Sequence, residues 1–177
     1  MERTIIVVTG DTGQAFFEHG YANHAGPIFD EVMRVPLFFF VPGKQPRTSH
    51  RPAQHIDIPP TLISLLNLPP HPSFQGFDLM SSKEFRDRSR FIMVQTPFGF
   101  QCGAIRNDLK LIFNPRYRTV RLYNLKEDPD EKTNIANSEP AVMNKMYNLI
   151  NTWMTQQLTY YEKTSLYTYT YPPFYNF

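Results

Sequence analysis

Asp11 stands in a Gly10-Asp11-Thr12-Gly13 turn directly after the β-branched run Thr4–Thr9. A carboxylate on a Gly-flanked turn at a strand end suits two jobs. It can hold a hard cation or orient an anionic substrate, or it can cap the helix or turn that follows. Two histidines, His19 and His24, come next, in the polar stretch Gln14–Asp30. An imidazole there can donate to an anionic group, or shape its loop by bonding backbone carbonyls. Cys102 and Arg106, four apart, are the remaining pair whose types suggest chemistry, a thiol beside a cation.

These residues need elements to position them. Thr4–Thr9 (TIIVVT) shows almost no alternation, which reads as a strand covered on both faces in a parallel sheet. Val35–Val41 is a second buried strand, closed by Pro42-Gly43. The stretch between them reads as a long functional loop without helix or strand. Asp57–Asn67 reads as a helix with Asp57 as N-cap, Pro59 and Pro60 in its first turn, and Leu62, Leu65 and Leu66 on its apolar face. Lys83–Arg90 reads as a solvated, mixed-charge connector. Asp30 or Glu31 with Arg34 reads as an ion pair at the entrance to the second strand.

Beyond residue 90 the texture changes. Arg90–Gln95, Phe100–Arg106, Lys110–Phe113 and Val120–Leu125 are short strands split by turn residues, which predicts a small antiparallel sheet. Ser138 and Pro140 open a helix with Val142, Met146, Leu149, Ile150 and Trp153 on one face, and a Tyr-rich tail closes the chain.

The 177 residues, 41% hydrophobic and 19% charged, argue for a folded chain rather than disorder. A net charge of +2, with no basic run interleaved with aromatics, gives no reason to expect a nucleic-acid partner. One cysteine rules out an internal disulfide. The most apolar run, Leu37–Val41, is too short to span a bilayer. Met1-Glu2-Arg3 leads straight into a strand and does not read as a signal peptide, so location stays open, with export or the periplasm expected if a longer form carries a signal.

The order TIIVVTGDTGQAFFEHGYANHAG, DEVMRVPLFFFVPG and HIDIPPTLISLLNLP resembles the sulfatase family of the alkaline-phosphatase superfamily. AIRNDLKLIFNP is similar to that family's late hairpin, and LYNLKEDPDEKTNIA to the segment after it. The resemblance spans about residues 4–155 and implies hydrolysis of sulfuric esters with a divalent metal, calcium first among the candidates. It implies that Asp11 is a metal ligand and that His24 occupies the place of a Lys or His contacting the ester oxygens. His19 then holds the loop, with a direct catalytic role as the lesser reading. Thr12 stands where the family has His or Asn, and Gln14 where many members have Glu. A threonine hydroxyl is a weak oxygen ligand and no substitute for a His nitrogen on zinc.

The family's nucleophile, a formylglycine made on a Cys/Ser-x-Pro-x-Arg motif, is absent. Cys102-Gly-Ala-Ile-Arg106 carries Ala104 in place of the proline and lies in the late hairpin, so Cys102 reads as a small buried strand residue. The expectation is therefore an α/β chain: the C-terminal part of an alkaline-phosphatase-like sheet with flanking helices over residues 1–82. A small antiparallel sheet, C-terminal helix and Tyr-rich tail follow over 83–177. The expected partners are a sulfate-ester small molecule or glycan, the missing N-terminal half, and copies of the chain itself, given an exposed strand edge and apolar faces, with the Tyr-rich tail as a route. Two alternatives stay open: a non-catalytic remnant or binding domain, and part of a related phosphodiesterase or phosphoethanolamine transferase.

Overall fold

The computed structural model describes residues 3–24, 26–82, 88–96 and 99–162. Residues 83–87, most of the charged connector, and 163–177, most of the Tyr-rich tail, lie outside them.

The chain is α/β, and among the described residues its short strands fall in three separate sheets. β1 (Ile6–Thr9) pairs antiparallel with β4 (Leu37–Phe40), in a register that sets Ile6 opposite Phe40 and Val8 opposite Phe38. This corrects the parallel, doubly covered reading of Thr4–Thr9. Hydrophobic content marks a strand destined for burial, but it does not supply the cover or the direction of its neighbour. In this chain Ile6, Val8, Phe38 and Phe40 are all exposed. The stretch between these strands is not plain loop either. It contains a small hairpin of β2 (Ala15–Phe16) and β3 (Ala22–Asn23), then one turn of helix, α1 (Asp30–Met33).

A short 3-10 turn, His55–Asp57, leads into α2 (Ile58–Leu65), whose first turn carries the two prolines. Asp57 makes no side-chain cap to α2. It is fully buried and accepts from the Gln54 and Phe77 backbone N–H groups at 2.8 Å each. Arg88, assigned to the solvated connector, instead donates to both Asp57 oxygens. A buried carboxylate needs a cation more than a solvated connector needs another charge.

The four antiparallel strands arrive as expected: β5 (Arg90–Thr96), β6 (Gly99–Arg106), β7 (Leu109–Asn114) and β8 (Thr119–Asn124). The β6–β7 connection is a two-residue turn with positive φ at both Asn107 and Asp108, the geometry whose twist matches the flanking strands. Strand alternation then sorts side chains between two covers. Cys102, Ala104, Leu111 and Leu122 face α3 (Pro140–Glu162), which contributes Met146, Leu149 and Ile150. Ile112 and Tyr123 face the other way, onto Ile28 and Phe29. Trp153 stacks on Phe91 with ring centroids 4.7 Å apart. Ser138 does not cap α3 through a backbone N–H; its hydroxyl donates to the Ile135 carbonyl at 3.1 Å. No helix among the described residues is long and apolar enough to cross a membrane.

Candidate functional site

The Asp11 turn is braced on two sides. His55 Nε2 lies 2.9 Å from the Gly10 carbonyl and 3.3 Å from Thr9 Oγ1, tying the end of β1 to the 3-10 turn. The Gly13 N–H donates to the Val32 carbonyl of α1 at 2.7 Å. A β-carbon at Gly13 would run into the Glu31 carbonyl, so only glycine allows the turn to close against α1 at this distance. Within the turn, the Thr12 N–H donates to Asp11 Oδ1 at 2.9 Å. Asp11 is exposed, and its other oxygen bonds no described residue. The result is a carboxylate with a fixed backbone, one oxygen oriented and one open.

His24 is exposed just after β3 and has no hydrogen-bond partner among the described residues, so the bond to a backbone carbonyl that would mark it as a loop histidine is not made there. His19 is different. Its Nδ1 lies 2.7 Å from Glu31 Oε1, its Nε2 lies 3.1 Å from the Glu131 carbonyl, and its ring stacks on Phe29 at 3.7 Å. Both nitrogens face oxygen acceptors, so neither is open to a substrate. Its bonds tie the loop to α1 and to the turn after β8.

Behind His19 lies a buried charge cluster that sequence reasoning missed. Lys110, fully buried, lies 2.7 Å from Asp30 Oδ1 and 2.9 Å from Glu131 Oε1. Glu131 Oε2 also accepts from the Asp30 N–H at 2.6 Å. Burial holds the Glu131 carboxyl above its ordinary range, with Lys110 pulling in the opposite direction. Asp30 and Glu31 therefore pair with Lys110 and His19, in place of the expected pairing with Arg34. The signal was present in the strand alternation, which puts Lys110 on the same face as Ile112. A lone lysine in a strand, however, reads by default as solvated.

Three observations bear on the chemistry. Cys102 is fully buried, and burial pushes its thiol up to about 11, far from a thiolate nucleophile. Among the described residues no three His, Cys, Asp or Glu side chains cluster so as to hold a metal. A calcium-like ion takes about six to eight oxygens. Asp11, with the exposed hydroxyl of Thr12, falls well short of that, so the donor set among the described residues does not by itself fit the metal the resemblance implies.

Comparison with known proteins supplies the context for that partial site. The sulfatase family model matches residues 1–68. The chain is 26% identical over 142 residues to the uncharacterized sulfatase YidJ of Escherichia coli (strain K12), covering 76% of this chain and 28% of that protein. It therefore spans less than a third of the length of that relative. The crystal structure of a putative sulfatase from Bacteroides thetaiotaomicron VPI-5482 matches 97% of this chain and 40% of its own, at 20% identity and TM-score 0.72. BT4656, solved in complex with its substrate D-glucosamine-2-N,6-O-disulfate, matches 92% of this chain and 36% of its own, at 22% identity and TM-score 0.68. Taken with the motifs in order along the sequence, these matches make the chain similar to members of the sulfatase family, and the solved structures show that it shares their alkaline-phosphatase-like fold.

Proposed function

We propose that this chain supplies the C-terminal share of a sulfuric ester hydrolase site that acts on sulfated sugars. Asp11 gives one carboxylate ligand to a divalent ion, and His24 donates to the oxygens of the ester. The observation that carries the reading is Asp11 itself, a carboxylate with one oxygen oriented, the other open and its backbone clamped by His55 and Val32, inside the matched residues 1–68. The bound ion would neutralise charge on the ester oxygens. The sugar class is suggested by the substrate of BT4656. The remaining ligands and the nucleophile would come from a complementary part, because the matched region is 28%, 30% and 32% of the length of three curated relatives.

The test begins with the reading frame upstream of this sequence. A Cys/Ser-x-Pro-x-Arg motif there, followed by hydrolysis of aryl or sugar sulfates by the assembled protein, supports the proposal. In that protein Asp11→Asn and His24→Ala are each expected to lower turnover by about 100-fold. Cleavage of phosphate or phosphonate esters, but not sulfates, would move the assignment to the related phosphodiesterases.

The shortfall in metal ligands favours a second reading, a non-catalytic domain that binds sulfated ligands. It expects a melting temperature indifferent to calcium, and no turnover in the assembled protein.

A further inference from the structure

A cavity of about 310 Å³ opens between Tyr21, Gly26 and Pro27 on one side and the sheet face that carries Ile112 on the other. Its floor is built by register. Arg121 lies opposite Ile112, and Thr119 opposite Asn114, on neighbouring strands. Gln101 of β6 joins them, and Tyr21 and Tyr117 form aromatic walls. Tyr21 packs close over Gly26: a β-carbon there would sit 3.2 Å from the Tyr21 Cβ. Arg116 lies over the Tyr117 ring at 5.7 Å.

The polar groups of this cavity are not used up by the fold. Arg121 is only partly buried and rests over the Phe29 ring at 5.5 Å, yet it has no carboxylate partner among the described residues. Asn114 and Gln101 are 8% and 3% exposed. Asn114 Oδ1 accepts from the Tyr117 N–H, leaving its amide N–H groups without a partner among the described residues. Gln101 makes one long contact, Nε2 to the Gly26 carbonyl at 3.5 Å. Amide and hydroxyl groups aimed into a cavity between aromatic walls suit a polyol ring, and a guanidinium without a counter-ion suits an anionic substituent on it.

We propose that this cavity binds a carbohydrate unit carrying a sulfate or carboxylate, with Arg121 taking the charge and Tyr21 and Tyr117 bracketing the ring. The proposal extends the hydrolase reading by naming where such a sugar sits. It rests on that reading only for the sugar's place beside His24, two residues before Gly26.

Binding is measured without turnover, so the two readings fail separately. Calorimetric titration of the chain uses N-acetylglucosamine 6-sulfate, glucuronate, neutral N-acetylglucosamine and inorganic sulfate. The anionic sugars are expected to bind at least about tenfold tighter than either the neutral sugar or free sulfate. Arg121→Met keeps the stem over Phe29 and abolishes that preference. Tyr117→Ala, at an exposed position that leaves the fold intact, weakens all three sugars about fivefold. Lys132→Ala removes a positive charge from an exposed turn outside the cavity and changes nothing. Equal binding of charged and neutral sugars, or unchanged binding by both cavity variants, overturns the proposal. Free sulfate binding as tightly as the sulfated sugar overturns its carbohydrate part. Sugar binding that persists while the assembled protein shows no turnover rejects hydrolysis and leaves the cavity standing.

Discussion

Arg88 Nη1 sits 2.7 Å and 2.8 Å from the two carboxylate oxygens of Asp57, joining the residue before α2 to the residue that leads into β5. Asp57 is fully buried, the Arg88 side chain is 7% exposed, and its guanidinium lies 4.5 Å over the Phe77 ring. The pair connects segments 31 positions apart and satisfies two backbone N–H groups on the way.

Removing one partner of such a pair leaves a buried charge without compensation. Arg88→Met is expected to destabilise the chain by about 3–5 kcal/mol. Asp57→Asn retains one acceptor for the backbone N–H groups and should cost less. Urea denaturation of the three proteins checks the order, and a loss below 1 kcal/mol for Arg88→Met would sink this account of the pair.

Lys110 makes a similar prediction with a pH signature. Lys110→Met strips the cation from Asp30 and Glu131, at an expected cost of about 3 kcal/mol near neutral pH. Glu131 is already held above its ordinary range by burial, and losing Lys110 removes the strongest opposing influence. An acid whose folded value is raised favours the folded state at low pH, and that benefit is lost as pH rises through the folded value. The deficit of the variant should therefore shrink as pH falls from about 8 to about 5. A constant deficit across that range would contradict the reading.

Cys102 should resist alkylation in the folded state. A thiol pushed up to about 11 and fully buried offers little thiolate at neutral pH. Iodoacetamide labelling followed by mass spectrometry should be slow in buffer and fast in denaturant. Rapid labelling of the native chain would reopen the possibility of a nucleophile there.

The β1–β4 ribbon predicts self-association. Phe38 and Phe40 are 56% and 58% exposed, with Val8 and Ile6 directly across from them on the same face. A continuous apolar face of this kind favours association. The isolated chain is expected to grow in apparent mass with concentration in light scattering, and Phe38→Lys should reduce that growth. A wild-type chain that stays monomeric at high concentration would rule this out.

How much of this was legible in the sequence depended on range. The four late strands were read nearly to the residue, and α3 by its start and its packed face, because alternation, the Asn107-Asp108 turn and the Met146–Ile150 face are local signals. The direction of β1 was misread, since its neighbour lies beyond a stretch of intervening chain and hydrophobicity carries no direction. Arg88 was read into a solvated connector and Lys110 as no more than the start of a strand, because their acidic partners are 31 and 80 positions away, and nothing local marks a lysine that is fully buried. Asp11 and His24 came from motif order. The brace from His55 did not, because the Gly10 carbonyl it meets is 45 positions away.

The stack of Trp153 on Phe91 gives the molecule a built-in optical reporter. The chain has a single tryptophan, and it sits where α3 meets β5. Its emission should report one event, the seating of the C-terminal helix on the sheet, without contribution from the Asp11 turn. Red-shifted fluorescence would show that helix lifting away, and a ligand bound at the opposite sheet face should leave the signal untouched.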